Sequence, residues 1–232
     1  MPIDNKVIIA LDFDDLDNTI NFLNKFHNEK LYVKVGMELF YSEGINIIKE
    51  IKKRGHKIFL DLKLHDIPNT VKKAVKVLGR LDVDMINVHA SGGIKMMNDA
   101  LLELRKINKD CKLIAVTYLT SIDNDILSNE LGINNDINDM VIKLAYNTKL
   151  ANLDGVVCSV YESKLIKEKC GNDFLTITPG IRLEDNDNND QKRVATPKIA
   201  KENLSDYIVV GRSITTSNNP YDVYKKIVEE FK

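Results

Sequence analysis

The sequence predicts a closed (β/α)8 barrel, and three observations carry that expectation. Eight short runs of β-type residues recur along the chain, and most are continuously apolar rather than alternating, as in strands covered on both sides. Stretches with helical period separate many of them. The length of 232 residues suits eight β/α units, since such barrels typically need about 250 residues. A doubly wound open sheet is the alternative. No Gly/Ser- or Pro-rich linker interrupts the pattern, so residues 1–232 are expected to form one barrel domain.

In chain order, β-type runs occupy residues 7–11, 32–36, 57–61, 85–89, 112–117, 155–158, 174–178 and 207–211. Helical period marks 16–26, 45–53, 71–78, 94–107, 139–152 and 221–231, and a short helix is expected to begin near Arg212. Barrel enzymes carry their sites at the carboxyl ends of the strands, so the polar residues there can be read without assuming a function. Asp12 ends the first run, Lys34 lies in the second, and Asp61 and Lys63 end the third. Asn87 and His89 end the fourth, and Thr117 to Ser121 the fifth. Pro179, Gly180 and Arg182 follow the seventh, and Gly211 and Arg212 the eighth. Acids, lysines and anion binders thus converge on one rim, where structural ion pairs would have no reason to concentrate.

The stretch from Ile58 to Thr70 holds the densest chemistry. Strand alternation puts Asp61 and Lys63 on one face and Leu60, Leu62 and Leu64 on the other. Charges on the inner face of so apolar a strand are costly unless paired. Taken alone, Asp61-x-Lys63-x-x-Asp66 reads equally as a catalytic group or a structural ion pair. Flanking carboxylates favour the ammonium form of a lysine, whereas a Schiff-base lysine must be neutral. Lys63 therefore suits proton donation. Lys34 would add a second cation.

Thr178-Pro-Gly-Ile-Arg182 and Val210-Gly-Arg-Ser-Ile214 sit where (β/α)8 barrels often hold phosphate. Gly211 permits close backbone approach, and an arginine offers a fork of donors. A phosphorylated small molecule is the expected ligand. The polar segment between Arg182 and Pro197 is expected to be a lid or a solvated tip with one functional anchor. Its Asp185-x-Asp187-x-Asn189 spacing resembles a calcium loop, but Asp190 stands at the turn glycine and Thr196 at the bidentate glutamate, so calcium is rejected.

A formal net charge of −1 with scattered Lys and Arg argues against nucleic acid or a membrane surface as partner. No apolar run approaches the roughly 20 residues of a membrane span, and nothing in the first residues reads as a signal peptide. Cys111, Cys158 and Cys170 form no C-x-x-C, and their odd number suits a reducing compartment, so a cytoplasmic location is expected. No zinc spacing and no G-x-G-x-x-G after the first run are found, and the expectation is chemistry without metal or cofactor. His27 and His56 read as surface or structural residues. His65 and His89 are candidates by position alone.

Several segments together resemble the orotidine 5′-phosphate decarboxylase family, in its short, monofunctional bacterial type. They are Ile9-Ala-Leu-Asp12, Val33-Lys-Val-Gly36, Asp61-Leu-Lys-Leu-His-Asp-Ile-Pro-Asn-Thr70 and Asn87-Val-His-Ala90, then Val116-Thr-Tyr-Leu-Thr-Ser121, Thr178-Pro-Gly-Ile-Arg182 and Val209-Val-Gly-Arg-Ser-Ile214. The D-x-K-x-x-D core is shared with relatives; the segments in this order are specific and span nearly the whole chain. The resemblance implies a homodimeric barrel that converts orotidine 5′-phosphate to uridine 5′-phosphate and carbon dioxide without a cofactor. It implies that Lys63 protonates C6, with Asp61 near the departing carboxylate and Lys34 and Asp66 completing a charge network. Asp66 and Thr70 would reach into the neighbouring subunit's site. Asp12 and Lys34 would hold the ribose hydroxyls, Thr120 the pyrimidine edge, and Arg182, Gln191, Gly211 and Arg212 the phosphate.

Two rivals stand beside this reading. Metal-dependent relatives, similar to 3-keto-gulonate 6-phosphate decarboxylases and hexulose phosphate synthases, share the core but carry a glutamate where this chain has Lys34. A cation there is unfavourable beside a divalent metal. The other rival is a non-catalytic phosphate-binding barrel, which has no need for Lys34, Asp61, Lys63 and Asp66 together.

Overall fold

The computed structural model describes residues 6–27, 29–183 and 194–232. Among them eight parallel strands close a barrel in sequence order: β1 (Val7–Leu11), β2 (Tyr32–Val35), β3 (Lys57–Leu64), β4 (Met85–His89), β5 (Lys112–Val116), β6 (Gly155–Val157), β7 (Leu175–Thr178) and β8 (Tyr207–Val210). The first and last strands pair through Ile8 and Val209, so no edge is left open. The doubly wound alternative is thereby excluded.

Outside the barrel run α1 (Leu16–Asn24), α2 (Met37–Glu43), α3 (Ile45–Lys53), α4 (Pro68–Leu78) and α5 (Gly93–Ile107). The set continues with α6 (Ile137–Leu150), α7 (Val160–Cys170), α8 (Pro197–Glu202), α9 (Arg212–Thr215) and α10 (Pro220–Phe231). Local chemistry starts several of them: Asp15 and Thr196 accept backbone amides as caps, Pro68 and Pro220 fill first-turn positions, and Ser159 with Glu162 makes a capping box. Among the described residues no helix is long and apolar enough to cross a membrane.

Helices α2, α7 and α8 were not expected from periodicity. Helix α2 has seven residues and α8 six, too short for a periodic signal. In α7 the inner face carries Glu162 and Lys167, both buried, so charge falls where the pattern needs an apolar residue.

Strand alternation divides the apolar residues into two layers. Ile9, Leu11, Val33, Val35, Leu60, Leu62, Ile86 and Val88 face outward into the core under the helices. Ile8, Ala10, Tyr32, Phe59, Met85, Ile114, Ile177 and Val209 pack together inside the barrel. Along the same inward stripe, one step nearer the carboxyl ends, come Lys34, Asp61 and Asn87. The lumen is therefore an apolar plug topped by polar groups.

Strand β3 is three residues longer than the sequence suggested, and the addition is irregular. Leu60 pairs with Ile86 and Leu64 with Val88, so residues 61–63 of β3 lie opposite Asn87 alone. This is a bulge that turns the chain and re-aims a side chain. Lys63 sits on it with φ of 51°, a left-handed backbone that a residue bearing a Cβ adopts only under constraint.

At the opposite end of the barrel one arrangement occurs three times. Asp84, Asp154 and Asp206 each stand one residue before an even-numbered strand. Each carboxylate accepts the backbone amide of the preceding strand: Ile58 at 2.8 Å, Leu113 at 2.6 Å and Thr176 at 2.7 Å. Each also meets a cation from the helix before that strand: Lys52 at 3.2 Å, Arg105 at 2.7 Å and Lys167 at 2.6 Å. Between the starts of β2 and β3 the Leu31 amide donates instead to His56 Nδ1 at 3.1 Å.

Candidate active site

The polar top of the lumen opens into a cavity of about 650 Å³. Asp12, Lys34, Asp61 and Lys63 line one side, Thr120 lies on a second, and Gly180, Arg182, Gly211 and Arg212 on another. All of them lie on the rim that the strand ends marked in the sequence.

The four charges form a row of alternating sign. Lys34 Nζ lies 3.2 Å from Asp12 Oδ1 and 3.3 Å from Asp61 Oδ2, while Lys63 Nζ donates to Asp61 Oδ1 at 2.8 Å. Parallel strand neighbours make this possible: β1, β2 and β3 bring residues 22 and 27 positions apart to hydrogen-bonding distance. Gly36 leaves room for the row, since a Cβ there would stand 3.3 Å from Lys34 Nζ.

Burial and charge compete within the row. Burial alone would lower the pKa of Lys34, yet Asp61 and Asp12 outweigh it and hold the pKa above its ordinary value. Burial alone would raise the pKa of Asp61, but Lys34, Lys63 and the hydrogen bonds it accepts keep it below the usual carboxylate range. Both groups are therefore charged near neutrality. The ends of the row are more exposed: the Asp12 side chain is 59% accessible and that of Lys63 27%. A ligand can reach them.

Asn87 enters the same cluster. Its Nδ2 donates to Asp61 Oδ1 at 2.7 Å, and its Oδ1 accepts the Lys63 backbone amide at 2.8 Å. The side chain is fully buried. The sequence placed Asn87 on the rim but assigned it no partner; its signal was its inward position on β4, between Met85 and His89.

Opposite the charge row, Arg182 is buried and its Nη1 donates to the Ile181 carbonyl at 2.9 Å. Gly180 has φ of 83°, which favours glycine, and its carbonyl accepts the Ala195 amide at 3.0 Å while Arg182 N donates back to Ala195 O at 2.9 Å. These bonds join the two stems of the 182–197 segment. Gln191 and the acidic positions 185–190 lie outside the described residues.

Asp66 and Thr70 are exposed and do not line the cavity. The Asp66 carboxylate accepts the Ile67 amide at 2.6 Å, next to the start of α4. His65 and His89 stack with ring centroids 5.4 Å apart just beyond the rim, and burial, then His65 and Lys63, push the His89 imidazole below its ordinary pKa.

The arrangement can hold an anion at one wall and press an ammonium against a reacting atom at the other. The family model for orotidine 5′-phosphate decarboxylase / HUMPS matches residues 5–227. The chain belongs to this family. A protein named orotidine 5′-phosphate decarboxylase from Malacoplasma penetrans is 55% identical over 226 residues, covering 97% of this chain and 98% of that protein. One of the same name from Staphylococcus epidermidis is 57% identical over 227 residues, covering 98% of each chain. Among solved structures, the orotidine 5′-phosphate decarboxylase of Lactobacillus acidophilus superposes with a TM-score of 0.89 at 43% identity, covering 98% of this chain and 99% of that one. The segments that resembled the orotidine 5′-phosphate decarboxylase family lie within the matched span.

Proposed function

We propose that residues 1–232 act as one barrel domain that decarboxylates orotidine 5′-phosphate to uridine 5′-phosphate in pyrimidine biosynthesis, in the cytoplasm and without a cofactor. The observation that carries this reading is the row Asp12–Lys34–Asp61–Lys63, open to a nucleotide-sized cavity whose far wall holds Arg182, Gly211 and Arg212. The relatives' names supply the substrate.

In this mechanism the bond between C6 and the carboxylate carbon breaks and its electron pair stays on C6. That lone pair lies in the ring plane, so the pyrimidine cannot delocalise it. The Lys63 ammonium is already held by Asp61 and stabilises the developing charge without reorganising. It then gives its proton to C6 and is reprotonated from water. Asp61 lies beside the departing carboxylate. Asp12 and Lys34 hold the ribose hydroxyls, and Thr120 the pyrimidine edge. Arg182, Arg212, the Gly211 backbone and Gln191 bind the phosphate, and that remote contact supplies binding energy for ordering the reacting end.

Asp66 and Thr70 complete the site of a second copy in a homodimer. Their exposure and their position off their own chain's cavity support that assignment.

Magnesium, which the metal-dependent rival would need, does not fit these residues. The Lys34 ammonium lies within 3.3 Å of both Asp12 and Asp61, where a divalent ion would have to displace it. The test is the absorbance change on mixing protein with orotidine 5′-phosphate in excess EDTA. Full turnover is expected. Loss of turnover with chelator, restored by magnesium, would overturn the reading.

A further inference from the structure

We propose that Asn87 is a positioning residue for the reacting pair, fixing the Lys63 backbone with its amide oxygen and the Asp61 carboxylate with its amide nitrogen. This inference rests on the decarboxylase reading above for its kinetic consequences.

Between the paired positions 60–86 and 64–88, β3 carries three residues and β4 only Asn87, so the regular ladder is interrupted. An unpaired buried amide at Lys63 would cost about 1–3 kcal/mol. The Asn87 side chain takes the place of the missing ladder: Oδ1 accepts that amide at 2.8 Å. This bond holds a residue whose left-handed φ of 51° is otherwise unfavourable. Because φ and ψ of Lys63 aim its side chain, the same bond sets where the ammonium points.

The other half of the carboxamide acts on the acid. Nδ2 donates to Asp61 Oδ1 at 2.7 Å, the oxygen that also accepts Lys63 Nζ at 2.8 Å. Asn87 thus closes a ring through Asp61 Oδ1, Lys63 Nζ and the Lys63 backbone. Neither alanine nor aspartate can make both bonds: alanine has no polar atom, and an ionised aspartate has no donor. The residue is buried on all sides, with Ile114 of β5 paired beside it. A side chain here cannot reach solvent for substitutes.

Two variants separate the roles. In Asn87→Ala, kcat is expected to fall roughly 100-fold with KM changed less than about threefold, because the reacting group is misaimed while the phosphate wall is untouched. Asn87→Asp keeps an acceptor for the Lys63 amide but sets a carboxylate against Asp61. The charged and titratable groups around it are Asp61 and Lys63 on β3, Lys34 of β2 behind Asp61, and His89 on β4 itself. As pH falls the two carboxyls share a proton and the donated bond returns. The variant's kcat should therefore rise toward lower pH along a limb that the wild type lacks. A merely structural role would lower stability without creating that limb.

A third readout does not depend on turnover. The Asp61 carboxyl, followed by carbon NMR, should titrate higher in both variants than in the parent, since each loses the Asn87 donor. Folded variants with kcat within twofold of the parent would overturn the proposal, as would an Asp61 titration that does not move. If Asn87→Ala does not fold, Asn87→Asp carries the test. If the parent protein leaves orotidine 5′-phosphate unchanged, the functional reading falls and the Asp61 titration alone decides the role of Asn87.

Discussion

At the carboxyl end of the barrel, four ionised side chains touch one another and an open cavity. At the amino end, three aspartates each touch a strand amide and a cation from the helix before that strand. The chemistry is the same, carboxylate against ammonium or guanidinium, but the partners differ. Asp84, Asp154 and Asp206 use backbone groups whose place is fixed by the sheet, so these pairs join β3, β5 and β7 to their neighbours. Asp12, Lys34, Asp61 and Lys63 use mostly one another, which leaves donors and acceptors free to exchange with a ligand. Charge anchored to backbone stabilises the barrel; charge anchored to charge is available for reaction.

Substitutions at the two ends should break different properties, and the largest effect is expected at the top. Under the proposed mechanism, replacing Lys63 by Ala removes both the fixed positive charge and the proton donor, and turnover should fall by a factor of ~10⁵ or more. The melting temperature should stay close to that of the parent, because the lysine side chain is partly exposed. Turnover near the parent value would overturn the assignment of Lys63 as the proton donor.

The next largest effect is expected at the bottom and should invert this pattern. Lys167 is almost fully buried, and its ammonium donates to the carbonyls of Asn172 and Phe174 and to Asp206. Lys167→Ala strands those acceptors and should lower stability by about 3–5 kcal/mol, read from urea midpoints. The kcat of the folded variant at 25 °C should be unchanged. A stable variant with impaired turnover would mean that the two ends are coupled.

The smallest effect concerns the seam between β2 and β3, where a histidine rather than an aspartate accepts a backbone amide. Burial, then Lys30 and Arg54, push the His56 pKa down to about 4 from an ordinary 6.5. A group whose folded pKa is lowered in this way is neutral in the native state and takes up a proton more readily when unfolded. Its contribution is therefore full above pH 6.5 and is lost as pH falls from 6.5 toward 4, by up to roughly 3 kcal/mol. His56→Asn keeps a neutral acceptor for the Leu31 amide and should flatten the stability profile in that window. Asp61 and Lys34 at the top should add no slope there: Asp61 titrates below the ordinary carboxylate range and Lys34 above its own, so their pairing is lost only in stronger acid or stronger base.

Much of this was legible in the sequence because the signals are local. Apolar runs and helical period between them are properties of a few consecutive residues, and they predicted eight strands and a barrel. Alternation along 58–64 put Asp61 and Lys63 on the inner face, where they are found. The failures were also local in origin. Helix α7 was missed because Glu162 and Lys167 occupy its buried face: Glu162 accepts the amide of the helix's own N-cap, Ser159, and Lys167 reaches Asn172, Phe174 and Asp206 beyond the helix.

By itself, then, the sequence determined the barrel, the rim on which the chemistry sits and the residue types that meet there. Tertiary structure alone decided that Lys34 stands between Asp12 and Asp61, that β3 bulges opposite Asn87, and that Asn87 rather than a ladder carbonyl holds the Lys63 amide. The reason is register. Contacts between residues more than 20 positions apart depend on how neighbouring strands slide against each other, and only the closure of all eight strands fixes that offset.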